Sequence, residues 1–268
     1  MRMFGFMWIG ALAFGLACSS VCAAIPSLQF DKPLHEKRLA LPPDPDNPQS
    51  KPAVSCFYFP HLMVKQVDMG EKGAEQLSMT FVPKGQQEPA CRRGNAKDEK
   101  VVDSSTWSGY FKGVKGSYVF FDASDGAEGG ESFAIFSSAD NDKLFDDLAS
   151  KIQSVELMTP VQDIDQRPWY ENPLTLRYQR LYLAPCSLRS DEKKCWGLIQ
   201  QATGLTEKSP PDCSASYEAI EKQAPPEQLK ATMADPSVIR YEVEVVLDGH
   251  GVIRLTPVSK ALECYAAE

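Results

Sequence analysis

Apolar and polar residues alternate over much of the chain, and a period of two predicts strands. Ile239, Tyr241, Val243, Val245 and Leu247 interleave with Arg240, Glu242 and Glu244, so one face is buried and one is wet. Asp248-Gly249-His250-Gly251 turns the chain, and Val252 to Val258 returns; an Asp-Gly turn between alternating segments predicts a hairpin. Leu77 to Val82, Ser117 to Phe121 and Ser132 to Phe136 read as shorter strands bounded by Pro, Gly, Asp and Asn. Leu174, Leu176, Tyr178 and Tyr182 fall at even spacing in a further strand closed by Pro185. Leu144 to Ser154 fits a short helix or a strand, and periodicity does not decide between them.

Helical signals are confined to the region after Pro185. Ser190 and Asp191 offer caps for a helix through Trp196 and Ile199 that stops near Gly204. Ser214 to Gln223 and Glu227 to Met233 are two further helical candidates, each followed by proline.

These elements predict an α+β, β-dominated chain. An antiparallel sandwich or barrel-like lobe occupies 54–158, and a disulfide-braced β-α-α-β-β lobe occupies 174–268, with residues 159–173 linking them. The alternative is one β-domain with a helical insertion at 186–236. Residues 25–53 read as a proline-rich linker favouring extended chain, because Pro33, Pro42, Pro43, Pro45, Pro48 and Pro52 crowd it.

The N-terminus changes where this fold is expected to live. Arg2 precedes an apolar run from Phe4 to Ala17, interrupted only by glycines, and small residues follow, so residues 1–24 read as a cleaved signal peptide. A lipoprotein signal at Cys18 is the rival, but it places Gly15 where leucine is usual. Six cysteines remain after cleavage, Cys56, Cys91, Cys186, Cys195, Cys213 and Cys264, and an even number in an exported chain predicts three disulfides. The layout favours Cys56–Cys91, Cys195–Cys213 across a helical hairpin, and Cys186–Cys264. The main alternative pairs Cys186–Cys195 with Cys213–Cys264. The expected location is the periplasm or the exterior.

Charge and motifs narrow the chemistry. The chain has 28 Lys and Arg against 36 Asp and Glu, a net of −8, and losing Arg2 makes it −9. Such a balance gives no electrostatic basis for holding nucleic acid, and no later apolar stretch reaches membrane-spanning length. The mature cysteines contain no C-x-x-C pair, and no H-E-x-x-H, G-x-S-x-G, dinucleotide-binding or P-loop motif occurs. No metal or cofactor is therefore called for. His35 falls in the expected linker and His250 at a turn tip, leaving His61 as the one histidine placed within a lobe.

One charge feature stands out. Asp122, Asp125, Glu128, Glu131, Asp140, Asp142, Asp146 and Asp147 face only Lys143 within residues 122–147. Asp122, Asp125, Glu128, Asp140 and Asp142 are the candidate calcium ligands, although the D-x-[DN]-x-[DN]-G loop is absent and solvated hairpin turns are the simpler reading. Trp169 and Tyr170, between prolines, are candidates for anchoring a partner or for docking the two lobes. The expected function is a non-enzymatic exported binding protein for a protein or cell-envelope partner, of inhibitor, immunity or assembly-factor type. The rivals are a carboxylate-dependent hydrolase using Asp122, Asp125, Glu128 and Glu131, and a carbohydrate-binding module.

Overall fold

A computed structural model describes residues 30–158, 172–223, 225, 233–258 and 261–267. The signal segment 1–24, Trp169 and Tyr170, and all but Met233 of the third helical candidate lie outside them.

The chain is β-dominated and builds two antiparallel sheets. The first is a meander of β1 (His35–Ala40), β2 (Ala53–Phe59), β3 (Leu62–Asp68), β4 (Gln76–Phe81) and β5 (Lys100–Val101). The second runs through β6 (Gly109–Lys115), β7 (Tyr118–Ala127), β8 (Gly130–Ser137), β9 (Lys143–Leu157), β10 (Leu174–Leu183), β11 (Ser237–Asp248) and β12 (Gly251–Pro257). A short β13 (Glu263–Ala266) pairs with the first residues of β11 beyond the reach of β12. Between β10 and β11 the described residues include α1 (Glu192–Thr203) and α2 (Ser214–Glu221).

The expected linker is a strand in part. β1 pairs with β2 from His35 against Tyr58 to Ala40 against Ala53; Pro33 precedes β1, and the other five prolines fall in the connection between the strands. Pairing with β2 satisfies the backbone of β1, and its mostly exposed, charged side chains suit an edge strand. The undecided segment around Leu144 to Ser154 is the middle of β9. The lobe boundary expected at 159–173 does not divide the fold, because β9 and β10 are hydrogen-bonded neighbours across it. Residues 35–101 form one sheet and residues 109–266 the other.

The second sheet folds back on itself at β9. Its first half pairs with β8 and its second half with β10, and the register shifts where the two pairings meet. Opposite parts of the sheet thereby face each other: the Tyr118 hydroxyl at the start of β7 donates to Asn172 O at 3.0 Å and lies 3.4 Å from Leu247 O of β11. The enclosed cluster draws Tyr118, Phe120, Phe133 and Ile135 together with Leu174, Leu176, Tyr178, Tyr241, Val243 and Val245. A second cluster joins Phe59, Leu62, Val64, Leu77 and Met79 of the first sheet to Val114, Val119, Phe121, Ala134 and Phe136 of the second. Strands β7 and β8 are covered on both faces, which explains their near-continuous apolar runs.

The helices close one side of the larger cluster through Trp196, Ile199 and Tyr217. Asp191 caps α1, accepting from Lys194 N at 3.3 Å, and Gly204 ends it with φ 74°. The disulfides are Cys56–Cys91, Cys186–Cys195 and Cys213–Cys264. The expected Cys195–Cys213 and Cys186–Cys264 bridges are not formed. The turn between β10 and α1 returns the chain so that the Cα atoms of Cys186 and Cys195 are 5.6 Å apart. At the start of α2, which packs on β13, Cys213 lies with its Cα 4.8 Å from that of Cys264. α1 is thus stapled to the turn that precedes it and the start of α2 to β13, and no bridge links the two helices.

Candidate functional site

The acidic stretch spreads over β7, β8 and β9 and two turns, which lie at opposite ends of β8, a strand of eight residues that spans about 26 Å. Glu128 and Gly129 form the two-residue loop between β7 and β8, both at positive φ (53° and 72°), as a tight hairpin requires. Asp140 and Asp142 belong to the turn before β9, where Asp140 Oδ1 accepts from Asp142 N at 3.3 Å. The five calcium candidates are therefore not brought together, and the described residues contain no cluster of three or more metal-ligating side chains.

Asp122 and Asp125 already have partners. Both Asp122 oxygens accept from Lys112 Nζ at 2.6 Å. Burial raises the Asp122 carboxyl above the usual range; Lys112 offsets part of this and the charge of Glu131 adds to it. Asp125 pairs with Lys72 at 2.6 Å and accepts from Ser124, which holds it below the usual range. His35 stacks on Tyr58 with ring centroids 4.3 Å apart and lies 3.2 Å from Glu88; His250 is exposed at the tip of the β11–β12 hairpin.

A polar cluster that no sequence motif announced sits at the edge of the enclosed core. Asp147 of β9 accepts a short hydrogen bond from the Tyr178 hydroxyl and pairs with Arg180 Nε at 2.8 Å. Arg180 also donates to the Tyr241 hydroxyl at 3.2 Å. The edges of Phe133 and the tilted ring of Phe145 pack on Tyr178. β-Bulges on either side of residues 178 and 179 re-aim the strand here. Burial pushes both phenols up, and at Tyr178 the charge of Asp147 adds to it. Both tyrosines therefore stay protonated near neutrality; Tyr178 donates to Asp147 and Tyr241 accepts from Arg180, which ties β9, β10 and β11 together.

The outer face of β9–β12 is different in kind. Here cross-strand polar pairs form a ladder: Ser150 to Gln179 at 2.6 Å, Gln153 to Glu242 at 2.8 Å, and Arg177 to Glu244 at 2.7 Å. Glu244 also accepts from Arg254 of β12 at 3.0 Å, so two exposed guanidinium groups share one carboxylate. Beside this ladder β12 ends the sheet, and among the described residues no strand pairs with its far edge. Val252 and Ile253 on that strand are 43% and 59% exposed, and Val258 just beyond it is also exposed. Edge strands usually carry charge or proline against chance pairing; β12 has Arg254, Thr256 and the terminal Pro257 but also exposes Val252 and Ile253.

A separate apolar cleft of about 240 Å³ lies between the β2–β3 turn and residues 31–34, lined by Leu34, Phe59, Leu62 and Val114 with His61 at the tip of the turn. No helix among the described residues is long and apolar enough to cross a membrane. No protein-family model matches the chain, and neither a curated protein nor a solved structure matches it.

Proposed function

We propose that this chain is an exported binding protein whose partner is another protein, docked on β12 and the adjoining outer face of β10 and β11. The observation that carries the reading is the exposure of Val252, Ile253 and Val258 on and just beyond the edge strand β12, bordered by the Arg177–Glu244–Arg254 group. An apolar strip with a polar rim is the usual anatomy of a protein-binding patch. Three disulfides support export, since such bridges persist in oxidising compartments.

The test is site-specific photo-crosslinking in the producing cells. A photoreactive residue at Ile253 gives one adduct of defined mass, which Arg254→Glu suppresses, whereas the same residue at exposed Gly85 gives none. Equal labelling at both positions, or none at Ile253, rejects the reading.

One observation favours a carboxylate-dependent hydrolase instead, namely the carboxyl of Asp122, raised chiefly by burial with a smaller contribution from the charge of Glu131. Hydrolysis of a polysaccharide panel that disappears in both Asp122→Asn and Glu131→Gln establishes that second reading.

A further inference from the structure

Beneath the long connection between β4 and β5 lies a buried group of reactive side chains that the binding role does not use. Lys65 of β3 is 1% exposed and Glu99, just before β5, is 2% exposed. The Lys65 Nζ is 2.5 Å from Glu99 Oε1 and 3.4 Å from Asn95 Oδ1. Gln76 Nε2 donates to the same Asn95 oxygen at 2.8 Å. Glu99 is positioned from several sides: Ser78 Oγ donates to Oε1 at 2.5 Å, Gln76 Nε2 lies 3.2 Å from Oε1, and Ala96 N donates to Oε2 at 2.7 Å. The loop bearing Asn95 is anchored by Cys56–Cys91 and by the Tyr58 hydroxyl, which donates to Pro89 O at 2.9 Å.

A buried amine and a buried carboxylate, with the carboxamide of the exposed Asn95 against the amine, are the groups amide exchange needs. We propose that Lys65 and Asn95 condense into an intramolecular isopeptide bond, with Glu99 as the proton-transfer group. Glu99 Oε1 takes a proton from the Lys65 ammonium, and the freed nitrogen lone pair attacks Asn95 Cγ. As charge builds on Oδ1, the Gln76 N–H already bound there stabilises it. The new C–N bond forms, the bond from Cγ to Nδ2 breaks, and Glu99 relays to the leaving nitrogen both protons lost by the Lys65 nitrogen, the one taken before attack and the one shed after it, so that it departs as ammonium. Lys-NH3+ and Asn-CONH2 become a secondary amide and ammonium, with Glu99 regenerated and no oxidant or co-reactant consumed. Fixed positions replace a bimolecular encounter, which is where such a reaction gains its rate. The cross-link ties β3 covalently to the loop that otherwise depends on the disulfide.

Intact mass spectrometry of the purified, reduced full-length product tests this. The expected mass is lower than that of the same polypeptide without the cross-link by one ammonia, about 17 Da, as amine attack on a carboxamide requires. A tryptic digest gives a branched peptide joining Lys65 to Asn95, with no cleavage after Lys65. Lys65→Arg, Glu99→Gln and Asn95→Ala all restore the full mass of their sequences. Asn95 sits on an exposed loop, so its variant reports even where changes at the two buried positions prevent folding. A wild-type chain of full mass that trypsin cleaves after Lys65 overturns the proposal. So does a mass deficit that survives Asn95→Ala, because the ammonia then comes from elsewhere.

Discussion

Asp147→Asn is the most direct test of how the second sheet is held together. The carboxylate meets both the Tyr178 hydroxyl and Arg180, and the side chains of Asp147 and Arg180 are only 9% and 19% exposed. Asparagine keeps the shape and still accepts the phenol's hydrogen bond, but it leaves the guanidinium half-buried without its counter-charge. Removing one member of a buried ion pair costs about 3–5 kcal/mol, and the partial exposure of Arg180 places this case at the lower end, about 3 kcal/mol. For a chain of this size that corresponds to a fall in Tm of about 6–12 °C. Chemical denaturation with the disulfides intact reads the change as a lower midpoint at an unchanged slope.

The companion variant decides the cause. Asp147→Asn combined with Arg180→Met removes the stranded charge, so it recovers at least half of the loss. A single variant within about 1 kcal/mol of wild type, the range of exposed pairs, refutes the buried-pair reasoning. A double variant no more stable than the single one refutes it as well, because the loss is then one of packing. Arg177→Gln and Arg254→Gln on the exposed ladder serve as controls and each change stability by less than about 1 kcal/mol.

Three further outcomes follow from other parts of the fold. Removing Cys213–Cys264, which spans 51 residues, costs about 1.5 kcal/mol more than removing Cys186–Cys195, which spans nine, on the chain-entropy relation; paired Cys→Ser variants in denaturant titrations measure the difference. Asp122 binds its proton more tightly folded than unfolded, so it adds stability as pH falls through its raised folded value, an increment complete below the unfolded value of about 3.9. The stability of wild type relative to Asp122→Asn therefore increases on acidification, and a decrease over that window contradicts the assignment. Gly109→Ala places a Cβ 1.8 Å from Asp122 O across the β6–β7 ladder, so the strands must part. The cost is at least the roughly 1–3 kcal/mol of overpacking, with amide exchange accelerated along β6.

The features legible in the sequence are those whose physics is local. The β11–β12 hairpin shows in its alternation and its Asp-Gly turn, and α1 in Asp191 and Gly204, because both signals lie within the segment they specify. Strand β1 was hidden because its polar side chains face solvent and its order comes from backbone pairing with β2, which composition does not record. Residues 159–173 resembled a lobe boundary through their prolines, yet the strands on either side are neighbours, since a break in periodicity does not say whether the chain returns to the same sheet. Cys56–Cys91 formed as expected, but for the other four cysteines the alternative pairing formed rather than the favoured one, for a similar reason. Cys264 meets Cys213 only because four-residue β13 joins β11 and α2 packs upon it, a docking that no spacing rule contains.

The candidate sites divide along the same line. The acidic stretch was conspicuous because its charges are adjacent in sequence, but β8 carries its two turns to opposite ends of the sheet. Chemistry in this fold instead gathers residues that are distant along the chain. Lys65 and Asn95 meet because Cys56–Cys91 and Tyr58 fold the β4–β5 connection back over β3. Asp147 and Arg180 meet because bulges re-aim β10 where β9 turns from one partner to the other. A lysine next to a valine and an asparagine next to a glycine are unremarkable in sequence. Their significance begins when a long loop, costly to order, is fastened over a strand, buries the lysine and sets the asparagine against it. The disulfide and the proposed amide then act on one segment in succession. The disulfide restricts the loop first, and that restriction holds the carboxamide within reach of the amine for the slower covalent step.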